Sequence, residues 1–168
     1  LGNINFINDN QPNTQSENNK FIQNLIRGRI LQEDSYHNFF SNNFITQDVQ
    51  NGTYNVFLNN IFTSYNIIRD ADNSTFANNI FAYPVPIVEF IVLNSENTTF
   101  TKNLIDRYFT NGVNFFDNNY FEHDPYSIFT NAPNWSFSYS YNYHIPNRPS
   151  YLGTDGTQIG IYGGLFPF

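Results

Sequence analysis

The chain has 168 residues, 40% hydrophobic and 19% aromatic, enough apolar surface for a sizeable core and too much for a disordered tail. Only 12% are charged, the net charge is −7 and the pI is near 4.6, which excludes a nucleic-acid binder working through clustered lysine and arginine. Cysteine is absent, so neither disulfides nor thiolate zinc sites hold the fold.

Residues 1–20 carry one weak copy of a motif, Asn5 followed by Phe6 and Ile7, and then a polar tract expected to form an exposed loop. From Phe21 to Phe121 the motif recurs around asparagine anchors at Asn24, Asn43, Asn60, Asn79, Asn103 and Asn119. Three residues before each anchor stands Phe21, Phe40, Phe57, Phe76, Phe100 or Phe116. The residue after it is Leu25, Phe44, Ile61, Ile80, Leu104 or Tyr120, and the next is Ile26, Ile45, Phe62, Phe81, Ile105 or Phe121. Anchors roughly 16 to 24 residues apart have the spacing of a solenoid coil.

Side chains alternate across a strand, so the phenylalanine and the second residue after the anchor share one interior only if the chain bends between them. The anchor is expected to supply that bend in a left-handed conformation and to pass a hydrogen bond from its amide to the next coil. This predicts an all-β, right-handed parallel β-helix of six to seven coils, with an asparagine ladder and a stacked Phe/Ile core. Helices fit badly, because Gly, Asn and Pro interrupt every candidate.

Residues 83–93 are the longest apolar run but contain Pro84, Pro86 and Glu89 and are too short for a membrane span. A strand apolar on both faces is covered on both, here by another part of the chain such as its C-terminal segment, or by a partner. After Phe121 the repeat stops. Trp135 to Tyr143 alternate aromatic with small polar residues, a strand whose rings either pack on the coil or, through Trp135, Tyr139, Tyr141 and Tyr143, offer a platform to sugars. The coils are therefore assigned to residues 1–125 and a closing segment of the same domain to 126–168.

The last stretch, Asn142-Tyr143-His144-Ile145-Pro146 and then Gly153-Thr154-Asp155-Gly156-Thr157-Gln158-Ile159-Gly160-Ile161-Tyr162-Gly163-Gly164, resembles the terminal segment of secreted right-handed parallel β-helix proteins of Bacteroidota. Those are similar to the pectate-lyase-like superfamily. The resemblance implies an exported protein, extracellular or at the cell surface, with further domains in the parent chain. Opening at Leu1 without methionine is what an excised piece of such a protein would show. The glycines are expected to permit tight turns where the chain closes the coil.

Enzymes on this fold build sites on the outer face of stacked strands, with carboxylates for calcium and an arginine or lysine as base. The third residue after the last two anchors is Asp106 or Glu122 and the fourth is Arg107 or His123, a cluster within one coil spacing. Two adjacent carboxylates would share a proton or bind calcium, the cofactor such a site would take, whereas Arg107 beside them makes a salt-bridged face. His37, His123 and His144 lack metal-ligand spacing, and neither a nucleophile elbow nor a phosphate loop occurs. The expected function is a non-catalytic spacer or adhesin-like module whose partner is a glycan or a surface protein. The alternatives are a polysaccharide lyase or glycoside hydrolase module and a self-assembling fibre subunit with open strand edges.

Overall fold

A computed structural model of the chain describes residues 16–27, 30–46, 48–63, 67–82, 90–122, 128–131, 141–146, 151–165 and 167. These form a parallel β-solenoid of three six-stranded sheets. The first sheet stacks Ser16–Glu17, Ile30–Tyr36, Val49–Thr53, Ile67–Arg69, Phe90–Leu93 and Tyr108–Thr110. The second stacks Lys20–Ile22, Phe39–Ser41, Val56–Leu58, Thr75–Ala77, Thr99–Thr101 and Phe115–Asp117. The third stacks Leu25–Ile26, Phe44–Ile45, Ile61–Phe62, Ile80–Phe81, Leu104–Ile105 and Tyr120–Phe121. One strand from each sheet makes a rung, giving six rungs among the described residues; the weak copy at Asn5 lies outside them, as do residues 83–89. No helix among the described residues is long and apolar enough to cross a membrane.

Register aligns the motif copies as the spacing predicts. Phe21, Phe40, Phe57, Phe76, Phe100 and Phe116 are direct cross-strand partners in the second sheet. Their rings stack with centroids 4.5–5.0 Å apart, close to the strand spacing. Ile26, Ile45, Phe62, Phe81 and Ile105 meet that column from the third sheet, and Val49, Ile68 and Val92 from the first. Each such buried side chain contributes about 1.5–3 kcal/mol.

The bends are made differently from the expectation. The left-handed residue is the one before each anchor: Gln23, Asn42, Asn59, Asn78, Lys102 and Asn118, with φ between 50° and 60°. The anchor itself is spared that conformation and carries the ladder. The backbone N–H and Nδ2 of Asn43 both donate to Oδ1 of Asn60, at 2.9 and 3.0 Å. Nδ2 of Asn60 in turn donates to Oδ1 of Asn79 and to the carbonyl of Phe40, at 3.0 and 3.1 Å. The same pattern continues through Asn103 to Asn119. An anchor thus uses both amide hydrogens and its oxygen inside the wall, which permits full burial.

A second corner, between the first and second sheets, repeats the device. Asn18, His37, Tyr54, Asn73 and Asn97 are left-handed there. The residue after each passes its N–H to a side-chain oxygen one rung on: Asn19 to Asn38, Asn38 to Asn55, Asn55 to Ser74, Ser74 to Thr98 and Thr98 to Asn114. Amide and hydroxyl oxygens serve alike, because the ladder needs an acceptor and not a particular residue.

The residues directly after the anchors point away from the coil. Leu25, Phe44, Ile61, Ile80 and Leu104 form a second core with Ile128, Phe129, Tyr143, Ile145, Ile159 and Ile161, so part of the C-terminal segment covers the third sheet. The left-handed asparagines hold it there. Nδ2 of Asn42 donates to the carbonyls of Ile161 and Gly163 at 3.0 and 2.6 Å, and Oδ1 of Asn78 accepts the N–H of Thr154 at 2.9 Å. In the doublets Asn42-Asn43 and Asn78-Asn79 the two residues therefore divide two tasks, the first docking the segment and the second building the ladder. Gly160, at φ 79°, donates its N–H to the Asn78 carbonyl at 2.8 Å, and a Cβ there would come within 2.7 Å of Ile80 Cδ1.

Candidate functional site

Asp106 and Glu122 occupy matching places on the last two rungs, since Leu104 pairs with Tyr120, Ile105 with Phe121, and the Glu122 N–H donates to the Ile105 carbonyl at 3.1 Å. The solenoid thus brings the two acids together along the rod. Nε of Arg107 lies 3.9 Å from Oδ2 of Asp106, with the two side chains 50% and 20% exposed, a contact that solvent keeps weak. Glu122 is engaged from the other side, its Oε2 accepting the Tyr151 hydroxyl at 3.0 Å. His123 lies outside the described residues. Among the described residues, no three His, Asp or Glu side chains group closely enough to hold a metal ion.

Of the four expected platform residues, Trp135 and Tyr139 lie outside the described residues. Tyr141 is half-buried at the margin of the outer core, edge-on to Tyr143. Tyr143 cannot serve as a platform: it is 2% exposed, with its ring 5.3 Å from Phe44 and 5.4 Å from Phe129. Alternation in the sequence marks which rings share a face but not which face meets the coil.

Two groups of rings are exposed. Tyr108, Phe109, Phe115 and Phe121 lie with Val113 on the last rung among the described residues; Phe121, a motif position expected to face the interior, is 60% exposed there, and Tyr108 stacks on Phe116 at 3.9 Å. His37 and Tyr54 stack at 5.3 Å on the corner between the first and second sheets. Aligning the rungs six residues before each anchor exposes this pair, because Asn18, Asn73 and Asn97 stand at the equivalent places.

No family model matches the chain, and comparison with curated proteins and with solved structures likewise finds no match. The parallel β-solenoid stands on its own geometry.

Proposed function

We propose that this chain is a non-catalytic module of an exported or cell-surface protein, a rigid spacer whose outer surface binds a glycan or another protein. The observation that carries this reading is the unbroken run of the anchor ladder and the phenylalanine column through all six rungs. Bonds that tie each rung to the next resist bending of the rod. Kinship with secreted right-handed β-helix proteins of the pectate-lyase-like, Bacteroidota type belongs to the same proposal, supported by the terminal glycines that let the last segment lie against the coil.

The runner-up is a polysaccharide lyase or glycoside hydrolase module using Asp106, Glu122 and Arg107, favoured by the side-by-side acids. Against it stand the engagement of Glu122 by Tyr151 and the contact between Asp106 and Arg107. The deciding assay incubates the chain with polygalacturonate and with neutral polysaccharides and measures new chain ends. The spacer reading expects none; depolymerisation that disappears in Asp106→Ala/Glu122→Ala would replace it with the enzyme.

A further inference from the structure

We infer that His37, Tyr54, Asp72 and Asn73 form a subsite for one pyranose ring of a neutral oligosaccharide, which rests on the glycan-binding reading above. The corner they occupy is left-handed on five rungs. Three carry asparagine, at φ 59° (Asn18), 54° (Asn73) and 56° (Asn97), a residue that tolerates this conformation well. His37 and Tyr54 adopt it too, at φ 55° and 56°; histidine tolerates it better than most residues, whereas a bulky tyrosine is disfavoured there. Burial does not compensate, for His37 is exposed and Tyr54 is 51% exposed. Asparagine would meet every demand of the fold at both places. Backbone strain that brings no burial points to a role for the rings themselves.

The surroundings define what would bind. The two rings stack at 5.3 Å and 20°, and on the far side of Tyr54 the next rung presents the shorter, exposed Asn73. The Tyr54 N–H donates to the Asp72 carbonyl at 3.0 Å, which ties Asp72, and Asn73 after it, to the adjoining rung. Oδ1 of Asp72 accepts the Glu96 N–H at 2.7 Å, holding the carboxylate in place. The stack therefore ends in a step, the exposed Tyr54 ring on one rung and the shorter, polar Asp72 and Asn73 on the next. A pyranose matches that step, with its C–H face on Tyr54 and neighbouring hydroxyls toward the Asn73 amide and the Asp72 carboxylate. Asp72 and the net charge of −7 oppose uronic acids and other anionic sugars.

The test titrates the whole chain with cellotetraose, xylotetraose, mannotetraose and trigalacturonate, using calorimetry and the His37 ring signals in NMR. At least one neutral sugar should bind and shift those signals. Tyr54→Asn should weaken that binding about tenfold or more while leaving the thermal midpoint unchanged or higher, and Tyr54→Phe should retain it. Equal binding by the parent and Tyr54→Asn overturns the subsite but leaves the glycan reading standing. Binding of trigalacturonate alone, or a Tyr54→Asn chain that does not fold, also overturns the subsite. No binding of any of the four by the parent removes the subsite and counts against the glycan reading with it.

Discussion

Replacing Asn60 by alanine measures what the ladder contributes. Asn60 is 0% exposed, and its side chain accepts two hydrogen bonds from Asn43 and donates to Asn79 and to the Phe40 carbonyl. Alanine keeps the backbone N–H bond to Asn79 but strips the partner from two donors on Asn43 and one bond from Phe40, all in the wall of the coil. At about 1–3 kcal/mol per buried group left unsatisfied, the loss should be about 3–6 kcal/mol, a large share of the roughly 5–15 kcal/mol of an ordinary domain. Asn119→Ala removes the equivalent bonds at the half-buried end of the ladder, where water enters the vacated space, and should cost about 1 kcal/mol. Urea unfolding followed by far-ultraviolet circular dichroism gives both values. Equal losses for the two variants, or less than about 1 kcal/mol for Asn60→Ala, would refute the reasoning. Asn60→Asp adds a check on sign. Its second oxygen would face the Phe40 carbonyl and Asn79 Oδ1, which disfavours the ionised form and raises the folded-state pKa. The penalty is therefore absent below the unfolded value of about 3.9, grows as pH rises through the raised value, and is constant above it.

Phe57→Ala opens the ring column where Phe57 lies 4.6 Å from Phe40 and 4.5 Å from Phe76, and should cost about 3–5 kcal/mol, read as a lower calorimetric midpoint. Gly160→Ala forces a Cβ against Ile80 at a left-handed position; a loss of about 1–3 kcal/mol should appear as faster proteolysis of the C-terminal segment with the coil's circular dichroism unchanged. Phe115→Lys and Phe121→Lys change rings 54% and 60% exposed and should move stability by no more than about 0.5 kcal/mol. If the last rung mediates association, these lysines raise the concentration at which light scattering begins; an unchanged threshold counts against the fibre alternative.

The inward rows were legible because a coil that stacks on itself in register makes each row a sequence repeat. The phenylalanines and the second residues after the anchors fill one interior, except Phe121, which is exposed on the last described rung, and the anchors join by their amides, as their spacing implies. The assignment of the left-handed turn to the anchor failed. Both residues of an Asn-Asn doublet have the chemistry for it, and only the backbone distinguishes Asn59 at φ 55° from the ladder residue beside it. The second ladder escaped notice because Asn55, Ser74 and Thr98 share an acceptor oxygen and not a residue type. Asp106 and Glu122 were brought together by the common offset, but the Tyr151 hydroxyl on Glu122 comes from a part of the chain with no repeat to align.

The sequence by itself determined the period of the coil, the residues of its inner core and the all-β class, since each depends on local alternation and a repeat that recurs many times. Tertiary structure alone decided what covers the outer face of the third sheet. Leu25, Phe44, Ile61, Ile80 and Leu104 are apolar whether they meet a partner, a second copy or the chain's own tail. Their burial by Ile128, Tyr143, Ile159 and Ile161 rests on contacts between distant segments, which no local pattern encodes. It also turned Tyr143 from a candidate sugar platform into a core residue, because a ring has the same chemistry on either side of a sheet and only packing determines whether it meets water.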